Sequence, residues 1–141
     1  IEEYFKKHQK VKAYMDGEIA HCRETGYAET MLGRKRAIHE INASAYRVRQ
    51  AGERLAMNTP IQGTAADIMK MAMIAVYDKM KAGNFKSRVL LQVHDELVAE
   101  VTADEKEAVS KLLKETMESV VSLRVPLVAD VNEGKNWAET K

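Results

Sequence analysis

The segment from Arg88 to Val101 constrains the fold more than any other part of the sequence. Its two apolar, β-prone runs, VLLQV and LVAEV, are separated by about two residues of turn type, which is typical of a tight β-hairpin. His94, Asp95 and Glu96 therefore lie at or beside a turn in apolar surroundings. A carboxylate there is costly without a partner or a metal, so Asp95 is a candidate ligand. Taken alone, the pattern favours an ordinary polar turn.

The first part of the chain is predicted to contain a helix and a basic β-loop. Apolar residues in steps of three and four predict a helix over residues 1–23, and Gly26 has the position of a left-handed C-cap. β-prone residues over 27–41 predict an irregular hairpin or two short strands, with Arg34 and Arg36 in a basic tip. The sequence slightly favours a solvated tip over one that contacts phosphates.

The central helical region contains polar residues at a regular spacing. Pro60 predicts that one helix ends by Thr59 and that another begins there, with Thr59 as its N-cap. Arg54, Asn58 and Gln62 recur every four positions, so they form one stripe if the helix is continuous and stay close together if it is broken. These residue types donate hydrogen bonds to base edges and sugars. Capping and local pairing explain them about equally well.

The second half is predicted to be an antiparallel sheet backed by helices. A capping box at Thr102–Glu105 is expected to open a helix that runs to about Ser122. Alternating apolar residues predict a last strand over Val125–Val131, which Pro126 makes start late or lie at an edge. The predicted fold class is therefore α+β: an antiparallel hairpin and strand backed by helices, with an N-terminal helix and a β-loop.

Composition gives few positive indications of function. The net charge of +1 favours neither nucleic acid nor membrane as a partner, and no apolar run approaches the ~18 residues of a membrane span. Cys22 is the single cysteine, which excludes an internal disulfide and a cysteine-based metal site. Since the chain opens at Ile1 inside an amphipathic pattern and without an initiator methionine, we expect it to be a piece of a longer protein.

The carboxylates supply only part of a metal site. Successive side chains on a strand point to opposite faces, so Asp95 and Glu96 can share an ion only if the turn redirects one of them. A two-metal site needs carboxylates from more than one segment, with the ions about 4 Å apart. The other acids lie in helix or strand patterns without a matching motif. Asp95 is therefore predicted to be a metal ligand, but the sequence does not supply the main carboxylate that would bind the ion with it. His94 is either a metal ligand or a general base.

Three segments together resemble the family A DNA polymerases, of the bacterial DNA polymerase I type. LQVHDELV at 91–98 resembles palm motif C, and ERLAMNTPIQGTAADIMK at 53–70 resembles the helix before the palm strands. GYAETMLGRKR at 26–36 resembles the β-loop after the fingers, and the match continues through VPL and GKNW to near the end. The resemblance implies a C-terminal fragment of the polymerase domain. Residues 1–60 would hold fingers-to-palm helices and the basic loop, and 61–141 the palm.

The resemblance also implies an activity. Such an enzyme transfers nucleotides from dNTPs to a primer 3′-hydroxyl on a DNA template, in replication and repair, with two Mg²⁺ ions. Asp95 is then one of two metal-binding aspartates, and Glu96 is an accessory carboxylate. His94 and Gln92 lie near the primer terminus. A cytoplasmic, nucleoid-associated enzyme without membrane contacts is expected.

The DNA-binding residues follow from the same resemblance. Arg54, Asn58 and Gln62 correspond to residues that contact the minor groove of the primer–template, and Arg34 and Arg36 belong to a basic loop near the template path. The second metal aspartate and the nucleotide-binding fingers helix belong to an upstream part that is missing, so the fragment alone is expected to be inactive. The segment AIHEI at 37–41 lacks the proline usual in this loop, which leaves its local shape open.

Two other classes of function are each consistent with part of the sequence. A non-catalytic DNA-binding module would use the stripe of Arg54, Asn58 and Gln62. A metal phosphohydrolase built on His94 and Asp95 needs several more His and Asp ligands than the motifs supply.

Overall fold

A computed structural model describes residues 2–140, with the side chain of Glu2 left out. The chain forms two compact units; the first ends at Ala65 and the second begins at Ala66. Two antiparallel hairpins and their flanking helices confirm the α+β class. The described residues form four α-helices and four strands, with 3-10 turns at His39–Asn42 and Trp137–Thr140. Their order is α1 Glu2–Lys7, α2 Gln9–Thr25, β1 Tyr27–Glu29, β2 Lys35–Ala37, α3 Tyr46–Ala82, β3 Arg88–Val93, β4 Glu96–Glu100 and α4 Lys106–Ser119.

Over the described residues, none of the helices combines the length and the apolar character needed to cross a bilayer.

The first unit contains the predicted β-loop, but the single helix predicted over residues 1–23 is wrong. Within the described residues two helices, α1 and α2, take its place and are separated at His8, and Ile1 lies outside the described residues. The α2 helix ends at Gly26, whose φ of 82° is left-handed and whose N–H donates to Cys22 O at 2.8 Å. This confirms the predicted C-cap. Strands β1 and β2 pair antiparallel, with Tyr27 opposite Ala37. The buried core of this unit consists of Cys22, Ala28, Ile38, Ile41 and Ala56.

The predicted helix break at Pro60 is wrong. The α3 helix continues from Tyr46 to Ala82 with Pro60 inside it, so Thr59 is an interior helical residue and not an N-cap. A proline in a helix removes one backbone donor and crowds the preceding turn. Here Ala56, Thr59 and Pro60 are all buried, and the burial of this face keeps the helix intact because tertiary packing contributes more to helix stability than local propensity.

The second unit packs its hairpin and α4 on the second part of α3. Its buried residues are Val76 and Met80 of α3 and Val109 of α4, with partly buried side chains around them, namely Phe85, Val89, Leu97, Leu112 and Leu113. Burial on one side of each element explains why α4 and the hairpin have amphipathic patterns.

The predicted capping box at Thr102–Glu105 is also wrong. The α4 helix begins at Lys106. The Glu105 carboxylate does not accept the Thr102 N–H, which donates instead to Ser87 Oγ at 3.1 Å. Glu105 accepts the N–H groups of Lys86 and Ser87, 19 and 18 positions earlier in the chain. A local motif has therefore been replaced by a contact between distant segments.

The predicted last strand does not form within the described part of the chain. Residues 125–131 have no strand assignment, and Val125 and Val128 are 66% and 73% exposed. The Ala129 N–H donates to the Glu118 side chain at 3.1 Å, which is not a ladder bond. A strand must form backbone hydrogen bonds with the edge of a neighbouring strand. Pro126 has no backbone N–H with which to donate such a bond.

Gly52 of α3 and Gly17 of α2 differ in how much space surrounds their Cα atoms. A Cβ on Gly52 would lie 2.7 Å from Ile41 N, whereas one on Gly17 has nothing within 4 Å. We expect Gly52→Ala to lower the free energy of unfolding by about 1–3 kcal/mol through overpacking, although helix propensity favours alanine. Gly17→Ala should raise it by about 0.5–1 kcal/mol. Urea unfolding of the chain measures both, and a gain in stability from Gly52→Ala would contradict the close approach.

Candidate functional site

The β3–β4 hairpin places its polar residues at a tight turn. Val93 pairs with Glu96, so only His94 and Asp95 connect the strands, as predicted. His94 has a φ of 53°, in the left-handed region. Histidine is among the residues that enter this region more readily than most. The result is an exposed tip with an imidazole and a carboxylate on successive residues.

Gln92 is tied to this tip. Its side-chain Nε2 donates to the backbone oxygen of His94 at 2.6 Å. His94, Asp95 and Glu96 are exposed, and their side chains make no hydrogen bond or ion pair with another described residue. The structure therefore brings Gln92, His94, Asp95 and Glu96 together at one end of the hairpin and leaves both carboxylates open to solvent.

The carboxylates suit a hard cation but are too few to form a full site. Asp95 and Glu96 offer oxygen ligands of the kind that Mg²⁺ prefers. Among the residues that the structure describes, no group of three His, Cys, Asp or Glu side chains could hold a metal ion. The donor chemistry therefore fits Mg²⁺, and the number of donors requires ligands beyond those described.

The base of the hairpin has a polar anchor that the sequence did not reveal. Glu105 accepts the N–H groups of Lys86 and Ser87 at 2.9 and 2.8 Å and the Ser87 hydroxyl at 2.6 Å. Ser87 Oγ in turn accepts the Thr102 N–H. The residues just before β3 and just after β4 are thus held together. These hydrogen bonds, led by the one from the Lys86 N–H, lower the pKa of Glu105.

The polar stripe of the first unit lies on one continuous helix. Arg54, Asn58 and Gln62 are all exposed on α3. Because the helix does not break at Pro60, successive members of the stripe are separated by one turn and face a common side. Arg54 contacts Gln50 Oε1 at 3.4 Å, while the neighbouring Glu53 pairs with Arg23. Asn58 and Gln62 are interior helical residues, so the capping roles considered for them do not occur.

The basic loop packs against the same helix. Arg34 Nη2 donates to Gly63 O at 3.0 Å, and the Met31 N–H donates to Thr64 Oγ1 at 2.9 Å. Arg36 is exposed, and within residues 2–140 its side chain has no hydrogen bond or ion pair. Arg34 and Arg36 therefore have different surroundings despite being two residues apart.

The first and second units each hold one of these groups of residues. The stripe and the basic loop belong to the first unit, and the hairpin tip belongs to the second. The second unit also exposes large apolar side chains around a shallow groove. We call this set the apolar face: Met73, Ile74 and Tyr77 of α3 with Leu90 and Leu91 of β3. Contiguous exposed apolar residues commonly mark an interaction site.

The anchor at Glu105 predicts how acid affects stability. Because the folded pKa of Glu105 is lowered, its stabilising effect is complete above the unfolded pKa of about 4.3 and is lost as the pH falls through the folded pKa. Glu105→Gln should lower the urea midpoint near pH 7 and reduce its further decline on acidification.

Glu107→Gln is the matched control for Glu105→Gln. It removes the same charge two residues later, from an exposed side chain in the first turn of α4. Its urea midpoint should follow that of the unmodified chain at every pH. An unchanged acid response in Glu105→Gln would contradict the anchor.

Comparison with known proteins identifies the family of the chain. The model of DNA polymerase family A covers residues 1–139. DNA polymerase I of Caldicellulosiruptor bescii is 50% identical over the whole chain, and the thermostable DNA polymerase I of Thermus aquaticus is 44% identical. The chain spans 17% of the length of each of these two relatives.

A solved structure gives the same result for the fold. The POL domain of Pol1 from M. smegmatis, in complex with DNA primer-template and dNTP, is similar with a TM-score of 0.94 and 42% identity. The similarity covers 99% of this chain and 24% of that one. The family match over residues 1–139 shows that this chain belongs to the family A DNA polymerases and is part of a DNA polymerase of the DNA polymerase I type.

Proposed function

We propose that this chain forms the motif C part of the active site of a DNA-directed DNA polymerase, which extends a primer 3′-hydroxyl with dNTPs on a template. The observation that carries the proposal is the exposed Asp95 at a two-residue turn, within a chain that matches the family over residues 1–139. The similar Pol1 structure was solved with primer-template and dNTP, which supports the same substrates here.

The residues of the hairpin tip have distinct roles in this proposal. Asp95 holds Mg²⁺ together with an aspartate from outside the chain, and Glu96 is an accessory carboxylate. When bound, Mg²⁺ supplies a Lewis acid that favours deprotonation of the 3′-hydroxyl and neutralises charge on the phosphates. His94 and Gln92 position the primer terminus, and the Gln92 hydrogen bond to His94 O keeps these two residues in one arrangement.

The first unit binds the primer–template. The side chains of Arg54, Asn58 and Gln62 reach hydrogen-bond acceptors in the minor groove, which every base pair presents in similar positions. Binding there reports correct pairing without reading the sequence. Arg34 and Arg36 belong to the loop that lies near the template path. Each of the stripe residues is exposed on α3, which supports this assignment.

Other parts of the polymerase must complete the site. We assign residues 1–60 to fingers-to-palm helices and the basic loop, and 61–141 to the palm. An upstream part of the domain supplies the second metal aspartate and the nucleotide-binding helix, and the apolar face is a surface that a neighbouring part of the domain would cover. We place the enzyme in the cytoplasm, associated with the nucleoid, with a role in replication and repair; its similarity to bacterial DNA polymerase I supports this.

A DNA-binding module without catalysis is the second candidate function. The observation in its favour is that the stripe of Arg54, Asn58 and Gln62 is complete within the chain, whereas the metal ligands are not. The two candidates differ in their dependence on Asp95.

Asp95→Asn in the polymerase that contains this chain should abolish synthesis. The amide keeps the size of the side chain but removes the charge that holds the cation. We expect kcat for primer extension to fall by at least about 100-fold, while the Kd for primed duplex in fluorescence anisotropy stays within about threefold.

Asp130→Asn is the matched control, because Asp130 is an exposed aspartate outside the hairpin. It should extend primers at the parent rate. Near-parent synthesis by Asp95→Asn would contradict the metal-binding role and favour the DNA-binding module.

The isolated chain should bind primed DNA weakly and fail to extend it. With Mg²⁺ and all four dNTPs, a labelled primer on a template is expected to remain at its original length after prolonged incubation, because the described carboxylates do not form a complete metal site. The intact polymerase, assayed in parallel, controls for the substrate. Clear extension by the isolated chain would show that the ligand set is complete without an upstream part.

A further inference from the structure

The loop between β1 and β2 is closed by several hydrogen bonds of its own. The Thr30 N–H donates to Arg34 O at 2.9 Å, and the Gly33 N–H donates to Thr30 O at 2.9 Å. The Arg34 N–H donates to Thr30 Oγ1 at 3.1 Å. With Gly33 in the left-handed region at a φ of 84°, these bonds close a compact turn in which the side chains of Thr30 and Arg34 have a defined position.

This turn lies directly against α3 at the helical turn that carries Gln62. Arg34 Nη2 donates to Gly63 O, and the Met31 N–H donates to Thr64 Oγ1, whose hydroxyl also donates to Pro60 O at 2.5 Å. A Cβ on Gly63 would lie 2.6 Å from Thr30 Cγ2, so only glycine permits this approach. We call these interactions the loop contact.

The loop contact lies just after the turn of α3 that Pro60 weakens. Pro60 cannot donate to the carbonyl oxygen of Ala56, which removes one backbone hydrogen bond from the turn between these two residues. The loop contact holds the next residues, Gly63 and Thr64, from outside the helix. Gln62 therefore lies between the weakened turn and the residues that the basic loop contacts.

The three cations predicted for the basic tip have different contacts; Arg34 lies in the turn, and Lys35 and Arg36 lie in β2. Arg34 is engaged with Gly63 O. Lys35 Nζ donates to Tyr27 Oη at 3.2 Å and lies 4.4 Å from the centroid of the Tyr27 ring, with Glu29 at 3.9 Å. Among the described residues, Arg36 alone of the three has no such interaction. The exposed guanidinium of Arg36 is thus the one whose donors are not already used by another described residue.

We propose that Arg34 is a positioning residue that fixes the α3 turn carrying Gln62, and that Arg36 supplies the phosphate contact of the loop. This inference rests on the proposed DNA-binding function of the stripe. The two arginines, which the sequence places in one basic cluster, thus have separate roles. Replacing each of them should have a different effect on the salt dependence of DNA binding and a different additivity with Gln62→Ala.

Salt dependence tests the phosphate contact. In the polymerase that contains this chain, the Kd for primed duplex is measured over a series of salt concentrations. Arg36→Ala should reduce the slope of log K against log salt by about 0.9, the value for one lost phosphate contact. Arg34→Ala should keep the parent slope. An equal reduction by both variants would overturn the proposal.

A double-mutant cycle tests the positioning role. Gln62→Ala is expected to lower kcat/KM for primer extension by about tenfold, the effect of one or two hydrogen bonds. Arg34→Ala should lower it similarly, and the combination with Gln62→Ala should add little, because both changes remove the same interaction. The effects of Arg36→Ala and Gln62→Ala on kcat/KM should multiply when the two changes are combined. Multiplicative effects of Arg34→Ala and Gln62→Ala would overturn the proposal.

Two further variants separate positioning from charge and from misfolding. Arg34→Lys keeps the charge but loses the planar donor group, so it should keep the parent salt slope and still be non-additive with Gln62→Ala. Gly63→Ala alters no charge and forces Thr30 away, and it should reproduce the effects of Arg34→Ala. Full rescue by Arg34→Lys, or parent behaviour of Gly63→Ala, would contradict the loop contact.

The outcomes also distinguish this inference from the function on which it rests. If Gln62→Ala leaves primer extension unchanged, the proposed DNA-binding stripe fails, and the role of Arg34 fails with it. If Gln62→Ala impairs extension while Arg34→Ala changes the salt slope as Arg36→Ala does, only the division of roles between the two arginines fails.

Discussion

Both units build their cores on one helix, α3, which continues through Pro60. The helix contributes Ala56 to the core of the first unit and Val76 and Met80 to the core of the second. A proline inside a helix costs on the order of 3 kcal/mol, so the burial around it must offset that cost. Continuity also gives the polar stripe its form, because Arg54, Asn58 and Gln62 share one face only on an unbroken helix.

Elements specified by their own residues could be predicted from the sequence. Alternating apolar residues with a two-residue interruption predicted the β3–β4 hairpin, because the turn and both strands lie within a few residues of each other. Gly26 was predicted as a C-cap because a left-handed φ strongly favours glycine. Elements that depend on distant partners could not be predicted: the helix through Pro60, the Glu105 contacts with Lys86 and Ser87, and the conformation of residues 125–131.

The same distinction between local and distant contacts decides which features of the candidate site could be predicted. Exposure of Asp95 at a tight turn followed from local pattern, but its assignment to Mg²⁺ required the resemblance of several segments to one family, because its main partner ligand is not among the described residues. In the sequence alone, Arg34 and Arg36 are equivalent members of one basic cluster. Their difference arises from Gly63, 29 positions away from Arg34, and contacts at such separations leave no signal in residue spacing.

The shortness of the β3–β4 turn limits how this part of the chain can vary in length. Val93 pairs with Glu96 directly across the turn, so an inserted residue must either form a bulge or shift the register of β4 by one position. A shift of one position exchanges the two faces of a strand. Leu97, which packs on the cluster of Val76, Met80 and Val109, would then face solvent. The hairpin therefore accepts replacement of a tip side chain far more readily than insertion or deletion of a residue.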